Sequence, residues 1–409
     1  MKMNFLKKHS IEIGLLLLFL LPPLGIGLLI IIGLIHLIKI IKTKKPLHFS
    51  IASFFFINLL IASIGASFMY MEIKYFMIPI LIASYLGYYL YVKERFSKQL
   101  LCNYVRIIIF GGIYIAFIGQ FQLLIPEFVN LFQPKSHWFI QAIGVLTGWM
   151  PLSFDESNRL FGSAYNPNFA AFFLLMSIAL LLWKLLRREN ILRNSGLLLI
   201  LGFAIIQTGS RSGVIGMILL FIIFLFRYRW QIGAGLAGLL GLISLKFDLI
   251  NELLPRYDTL QVSATGRKNI WENSVHIWSD HPFFGVTPLG FREAYDAFAH
   301  DKVAHAHNIF LGFFTEYGTI GGLSFVLLFI AIVVTVVLTM YTCRNRKKYL
   351  DIFLLLMPVF LMTGMLDHPL VSPQTALLSI FVIAGWERYV KRIHFFAKPA
   401  VESNHAGVQ

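Results

Sequence analysis

Apolar runs about as long as a membrane is thick recur along this 409-residue chain, each parted from the next by a polar stretch or a short Lys/Arg cluster. A hydrocarbon core of roughly 30 Å takes about 20 helical residues to cross. Lipid offers no partner to a backbone N–H or C=O, so each crossing must satisfy its own hydrogen bonds as a helix. The recurrence predicts an all-α, polytopic integral membrane protein. A composition 57% hydrophobic and only 13% charged excludes an ordinary soluble globule on the same ground.

The runs fall at 11–38, 49–70, 75–92, 107–125, 169–186, 196–208, 213–226, 232–245, 309–340, 350–365 and 371–384. Pro22 and Pro23 interrupt the first, making it one kinked span or a hairpin of two short ones. Lys2, Lys7 and Lys8 precede it and Lys39, Lys42, Lys44 and Lys45 follow it. Cytoplasmic ends of spans collect Lys and Arg, so both ends read as cytoplasmic and the hairpin is favoured. That gives about twelve transmembrane helices. Lys93, Arg95 and Lys98, then Lys184 to Arg193, Arg227 and Arg229, Arg344 to Lys348, and Arg388 to Arg392 then all fall on the cytoplasmic side, with both termini. The formal net charge of +15 is thus a topology signal, and no nucleic-acid partner is expected. Cys102 and Cys343 sit beside basic clusters, which argues against a structural disulfide. The N-terminus resembles a signal peptide but lacks a small-residue cleavage site, and reads as a retained first helix.

This topology divides the chain into membrane helices at 1–125, an extracytoplasmic loop at 126–168, central helices at 169–245, a long extracytoplasmic loop at 246–308, C-terminal helices at 309–390 and a cytoplasmic tail at 391–409. A connection of about 60 residues in a tightly connected bundle points to function. Within it, Ile270, Trp271, Ser274, Val275 and Trp278 fall on one helical face, while Lys268, Glu272 and Asn273 point elsewhere. This amphipathic helix is expected to lie on the membrane or cap the bundle. Asp280, His281 and Pro282 end it, and the region of Gly285 and Gly290 reads as a turn-rich connector.

Three outer features carry chemistry. In Gln207-Thr-Gly-Ser-Arg-Ser-Gly213, Arg211 lies between two apolar runs, where a guanidinium faces a polar cavity or an anion, or else is a solvated loop residue. Arg267 in Thr265-Gly-Arg-Lys-Asn-Ile-Trp271 stands at the expected start of the amphipathic helix, either drawing an anion there or forming a surface Arg-Lys pair. Third, His307-Asn308 is followed by nine residues, Gly318, two residues and Gly321. A histidine at the mouth of a membrane helix can take a proton from a hydroxyl near neutral pH, or be structural. His300, His305 and His307 also invite a metal reading, but no carboxylate or Cys has convincing ligand spacing, so no metal or cofactor is expected. Arg159 with Asn166-Pro-Asn168 enters a helix, Asn168 being an N-cap or a substrate contact. Glu316 is a second acid or base or a rim residue, and Asp367-His368-Pro369 a structural outer turn.

Together these features resemble the O-antigen ligase and polymerase superfamily, membrane glycosyltransferases of the GT-C class that act on polyprenyl-diphosphate-linked glycans. The similarity rests on His307-Asn308 with Gly318 and Gly321, the Gly-Ser-Arg-Ser-Gly segment around Arg211, Arg267 before Trp271, and Asn166-Pro-Asn168. It implies His307 as the base that activates an acceptor hydroxyl and Arg211 and Arg267 as holders of the donor diphosphate. Asn168, Asn308 and Glu316 join them as expected substrate-binding residues. The resemblance further implies metal-independent, inverting transfer at the outer face of the cytoplasmic membrane, with a polyprenyl-diphosphate glycan donor, a glycan or lipid acceptor and the bilayer as partners. A polysaccharide or lipid-linked glycan transporter is the alternative. Mid-span charges and internal symmetry would mark one, and neither is visible here.

Overall fold

The computed structural model describes residues 9–44, 46, 49–154, 158–244, 260–342, 349–365 and 367–391. Cys343, the lysines before residue 9, Arg344 to Lys348 and the tail beyond residue 391 lie outside the described residues. In chain order the helices begin with α1 (Ser10–Leu20), α2 (Pro22–Lys42), α3 (Ile51–Tyr70), α4 (Met77–Arg95), α5 (Lys98–Leu124), α6 (Pro126–Asn130), α7 (Trp138–Thr147) and α8 (Pro167–Leu186). They continue with α9 (Ile191–Gln207), α10 (Arg211–Tyr228), α11 (Trp230–Ser244), α12 (Leu260–Asp280), α13 (Thr287–Ala299), α14 (Ile309–Thr342), α15 (Leu350–Gly364) and α16 (Pro373–Val390). No strand occurs among the described residues.

The chain is an all-helical, multi-pass membrane protein. Seven helices among the described residues, α2, α3, α4 with its preceding turn, α5, α8, α10 and α14, are long and apolar enough to cross a membrane, against the twelve crossings expected. Shorter apolar helices account for further expected runs, among them α1, α9 and α15. The 11–38 run folds back as a hairpin. Pro22 and Pro23 start α2, where a missing N–H costs nothing. A Cβ on Gly14 would strike Leu29, and one on Gly25 would strike the backbone of Leu18. Both pairs are centred on the Leu21–Pro22 junction, as antiparallel arms require.

α8 is apolar on every side and buried along most of its length, with α5, α9, α10 and α15 around it. A helix without a polar face belongs inside the bundle. Cations and acids pair at one end: Arg227 Nε lies 2.7 Å from Asp351 Oδ1, and Lys93 Nζ 2.6 Å from Glu387 Oε2. Arg227 closes α10 and Lys184 lies in the last turn of α8, so the starts of these helices lie at the opposite end.

At that end α12 and α13 pack on α14 around a second small core of Ile277, Val286, Phe291, Tyr295 and Ala306. The buried face of α12 is Ser274 and Ile277, with Ile270 and Trp278 beside them; Val275, expected on that face, is 44% exposed. Gly290, expected in a connector, lies inside α13. Pro288 in its first turn and Phe291 and Tyr295 four residues apart, on the face that meets Ile277, make that segment an amphipathic helix.

α14 is broken at Gly318 (φ 61°, ψ −166°). The segment 282–286 docks into the break. The Val286 N–H donates to the Thr315 carbonyl at 2.9 Å, and the Thr319 N–H donates to the Pro282 carbonyl at 2.7 Å. Each group thereby regains the partner that the interrupted helix denies it. Only glycine adopts that backbone readily, and a Cβ there would lie 2.2 Å from the Phe283 carbonyl oxygen.

Candidate active site

The starts of α8, α10 and α14 meet under α12 around a cavity of about 260 Å³. Its lining includes Arg159, Asn168, Gly209 to Ser212, Gly266, Arg267, Ile270 and His307. The structure thus brings Arg211, Arg267, Asn168 and His307 together from four separate elements, and adds Arg159.

Local chemistry explains how each is held. Ser210 caps α10, its Oγ accepting from the Gly213 N–H at 3.3 Å, so Arg211 is the first helical residue. Asn166, rather than Asn168, caps α8: its side chain accepts from the Asn168 N–H at 2.8 Å, because Pro167 already occupies the first helical position. That frees the Asn168 Oδ1 to accept from Arg159 Nη2 at 3.1 Å. Arg159 Nε donates to the Thr208 carbonyl at 2.8 Å, and the Leu160 N–H to the Gln207 carbonyl at 3.0 Å. These bonds clamp the 159–160 segment to the turn that carries Arg211. Arg267 lies about two turns inside α12, which begins at Leu260, so it does not stand at a helix start as expected. Its charge reaches the cavity from the covering helix instead.

Three guanidinium groups and the N-termini of α8 and α10 surround this space, with His307 before α14 on its rim, and no acidic residue is among the described residues lining it. Helix starts and forked guanidinium donors both favour anions with several oxygens, a diphosphate above all.

His307 has φ 49°, in the left-handed region that a non-glycine residue seldom adopts. Its Nδ1 lies 3.3 Å from Asp367 Oδ1, and His305 Nε2 lies 2.8 Å from the same oxygen. Burial pushes the Asp367 carboxyl up, but the hydrogen bonds from His305 and His307 outweigh it and hold the group well below the usual carboxylate range. With the proton on Nδ1, His307 keeps a lone pair on Nε2 for the cavity. Sequence reasoning left Asp367 as a turn residue. Its 60-residue separation from His307 hides the contact, and its place in a short polar turn was the one available signal.

His305, His307 and Asp367 are also the described residues that could hold a cation, their ligand atoms lying within 4.8 Å of one another. Two imidazoles and a carboxylate suit zinc. His300 is exposed at the end of α13 and outside the group.

Asn308 and Glu316 are not among the residues lining the cavity. Asn308 Oδ1 accepts from the Phe310 and Leu311 N–H groups at 2.9 and 3.1 Å, capping α14. Glu316 is 2% exposed and faces His368, 3.6 Å from its Nε2. The Cδ2–Nε2 edge of His368 packs against Gly312, where a Cβ would meet it at 2.1 Å.

The O-antigen ligase family model matches residues 196–326, from within α9 to within α14. Arg211, Arg267 and His307 fall inside the match; Arg159, Asn168 and Asp367 fall outside it. No curated protein matches the chain. Over residues 196–326 the chain is similar to the O-antigen ligase family, which supports the resemblance to the O-antigen ligase and polymerase superfamily.

Proposed function

We propose that this chain is a metal-independent membrane glycosyltransferase that moves a glycan en bloc from a polyprenyl diphosphate to an acceptor hydroxyl on a glycan or lipid. The reaction takes place at the outer face of the cytoplasmic membrane, in the assembly of cell-surface polysaccharide. The observation that carries the reading is one cavity lined both by Arg159, Arg211 and Arg267 and by His307.

The arginines bind the donor diphosphate, with Asn168 fixing Arg159. His307 Nε2 takes the proton from the acceptor hydroxyl as its oxygen attacks the anomeric carbon. The bond from that carbon to the diphosphate oxygen breaks, and the leaving diphosphate carries away the electron pair. Guanidinium groups stabilise the charge that develops there, in a site already organised for it. A single displacement inverts the anomeric centre. Asp367 is a positioning residue that holds the His307 ring and stabilises the imidazolium formed. Asn308 and Glu316 serve from behind, Asn308 by capping the helix start that presents His307.

The test is transfer by purified protein from a defined polyprenyl-diphosphate glycan, with His307→Ala, Arg211→Ala and Arg267→Ala compared after folding is checked. Wild-type transfer that all three variants lose is expected. An active His307→Ala removes the base from this mechanism, and donor translocation without transfer replaces the reading with transport.

A further inference from the structure

We infer that the cleft between α9 and α10 seats the head-proximal isoprene units of the lipid donor, an assignment that rests on the proposed function. These two helices are joined by the 208–210 turn, and each packs far more extensively along α8 than on the other. Between them they leave a cavity of about 600 Å³, within the range of pockets that hold small molecules. Leu185 of α8 helps to wall it, along with Leu198, Phe203 and Ile206 of α9 and Met217 and Phe221 of α10.

The place of its outer end decides the occupant. Ile206, at that end, is two residues from Thr208, whose carbonyl binds Arg159, and three from Gly209, which lines the anion cavity. One turn therefore closes the apolar cleft below and the arginine-lined cavity above. A ligand made of a diphosphate joined to a hydrocarbon matches that sequence of charge and apolarity. From Ser195 to Ile206 α9 rises about 16 Å, roughly half of the hydrocarbon core. The cleft thus takes the first isoprene units and leaves the remainder of the chain in the bilayer.

A second apolar groove runs along α14 past Leu328, Ile332 and Ile383, in two smaller cavities of about 180 and about 50 Å³. Its lining reaches Ile309, two residues from His307, so it ends beside the base and not beside the turn that carries Arg211 and binds Arg159. Gly202 gives a way to close the α9/α10 cleft alone. A Cβ there meets only Met217 Sδ, at an ordinary 3.5 Å, so a side chain enters the cleft without displacing backbone.

The experiment uses the full chain in nanodiscs and a polyprenyl diphosphate carrying a diazirine on its second isoprene unit, with labelled residues mapped by mass spectrometry. Label is expected on α9 and α10 facing the cleft. Gly202→Phe, and independently Ser195→Phe, should lower it about tenfold or more with melting unchanged. The matching diazirine polyprenol, lacking the diphosphate, should label there much less. Label along Leu328, Ile332 and Ile383, label unaffected by both folded variants, or polyprenol labelling of equal strength overturns the assignment. The last result would make the cleft an ordinary contact for bilayer chains. Transfer measured on the same preparation separates the two claims. Cleft labelling without transfer sinks the transferase and keeps the binding site, whereas transfer with label elsewhere does the reverse.

Discussion

His307 Nδ1 faces Asp367 Oδ1 at 3.3 Å across two segments 60 residues apart, so the ring is held by the nitrogen that does not do chemistry. Asp367→Asn keeps the shape but offers the ring an amide in place of a charge. A base held in the wrong tautomer loses much of the factor of about 10² to 10⁴ that general base catalysis supplies. The expected result is a fall of about 10²-fold or more in kcat with a small change in donor KM. Wild-type kcat in a folded Asp367→Asn protein would remove the positioning role.

Arg159 entered the sequence reading only as part of the segment that leads into α8, with a structural role and a substrate contact equally open. It is 8% exposed and reaches both the α8 start and the turn carrying Arg211. Arg159→Ala removes a cation and loosens both elements, so it should cost stability as well as donor affinity. Arg211→Lys keeps charge without the planar fork, and an ammonium cannot bind two diphosphate oxygens side by side. Its donor KM should rise about tenfold with melting unchanged. Equal donor affinity in wild type and Arg211→Lys would show that only net charge matters there.

The legible part of the molecule was what periodicity and charge encode: the helical class, most of the apolar runs, and the pooling of His307, Arg211 and Arg267 in segments between or before those runs. Asn168 was read as the cap where Asn166 is, because the choice turns on Pro167 taking the first helical position. Val275 was placed on the wrong face of α12 because aromatic and aliphatic residues cover more than half of that helix's turn, and only the packing of Ile277 selects the buried side. Asp367 and Gly285 were illegible as site and docking residues for one reason. Both act through contacts with α14 or its leading segment that close over long separations, and no local pattern records such contacts.

The pairing of two imidazoles with one carboxylate leaves a direct test of metal independence. His305, His307 and Asp367 can hold zinc, but His307 cannot both ligate zinc through Nδ1 and stay oriented by Asp367. Transfer should therefore survive thorough chelation with EDTA. Loss of activity under EDTA, restored by a divalent cation and not restored in His305→Ala, would turn this cluster into a metal centre.

Asp367 also sets an acid limit. Its carboxyl titrates well below the ordinary value in the folded protein and near about 3.9 when unfolded. As pH falls, the unfolded state therefore takes up the proton first. The group's contribution is complete above about pH 4 and is lost as pH drops through the folded value. Between about pH 5 and about pH 2, wild-type Tm should fall more steeply than that of Asp367→Asn. Parallel curves for the two proteins would show that the ionised carboxylate does not stabilise the fold.

Gly318 tests whether the break in α14 belongs to the site. Its backbone conformation is one that side chains strain to adopt, at about 1 to 3 kcal/mol, and the added Cβ would also press on the Phe283 carbonyl at 2.2 Å. Gly318→Ala must then expel the 282–286 segment or distort the helix. Either outcome loosens the bonds that Val286 and Thr319 make across the break. Because the helix start holds His307 eleven residues away, the expected signature is a Tm lowered by several degrees together with a reduced kcat. Gly196→Ala is the control: it lies in α9 with nothing within 4 Å of the new Cβ, and a helical Gly→Ala change there should be neutral or slightly stabilising. If Gly318→Ala matched Gly196→Ala in both measurements, the break would be incidental to the placement of His307.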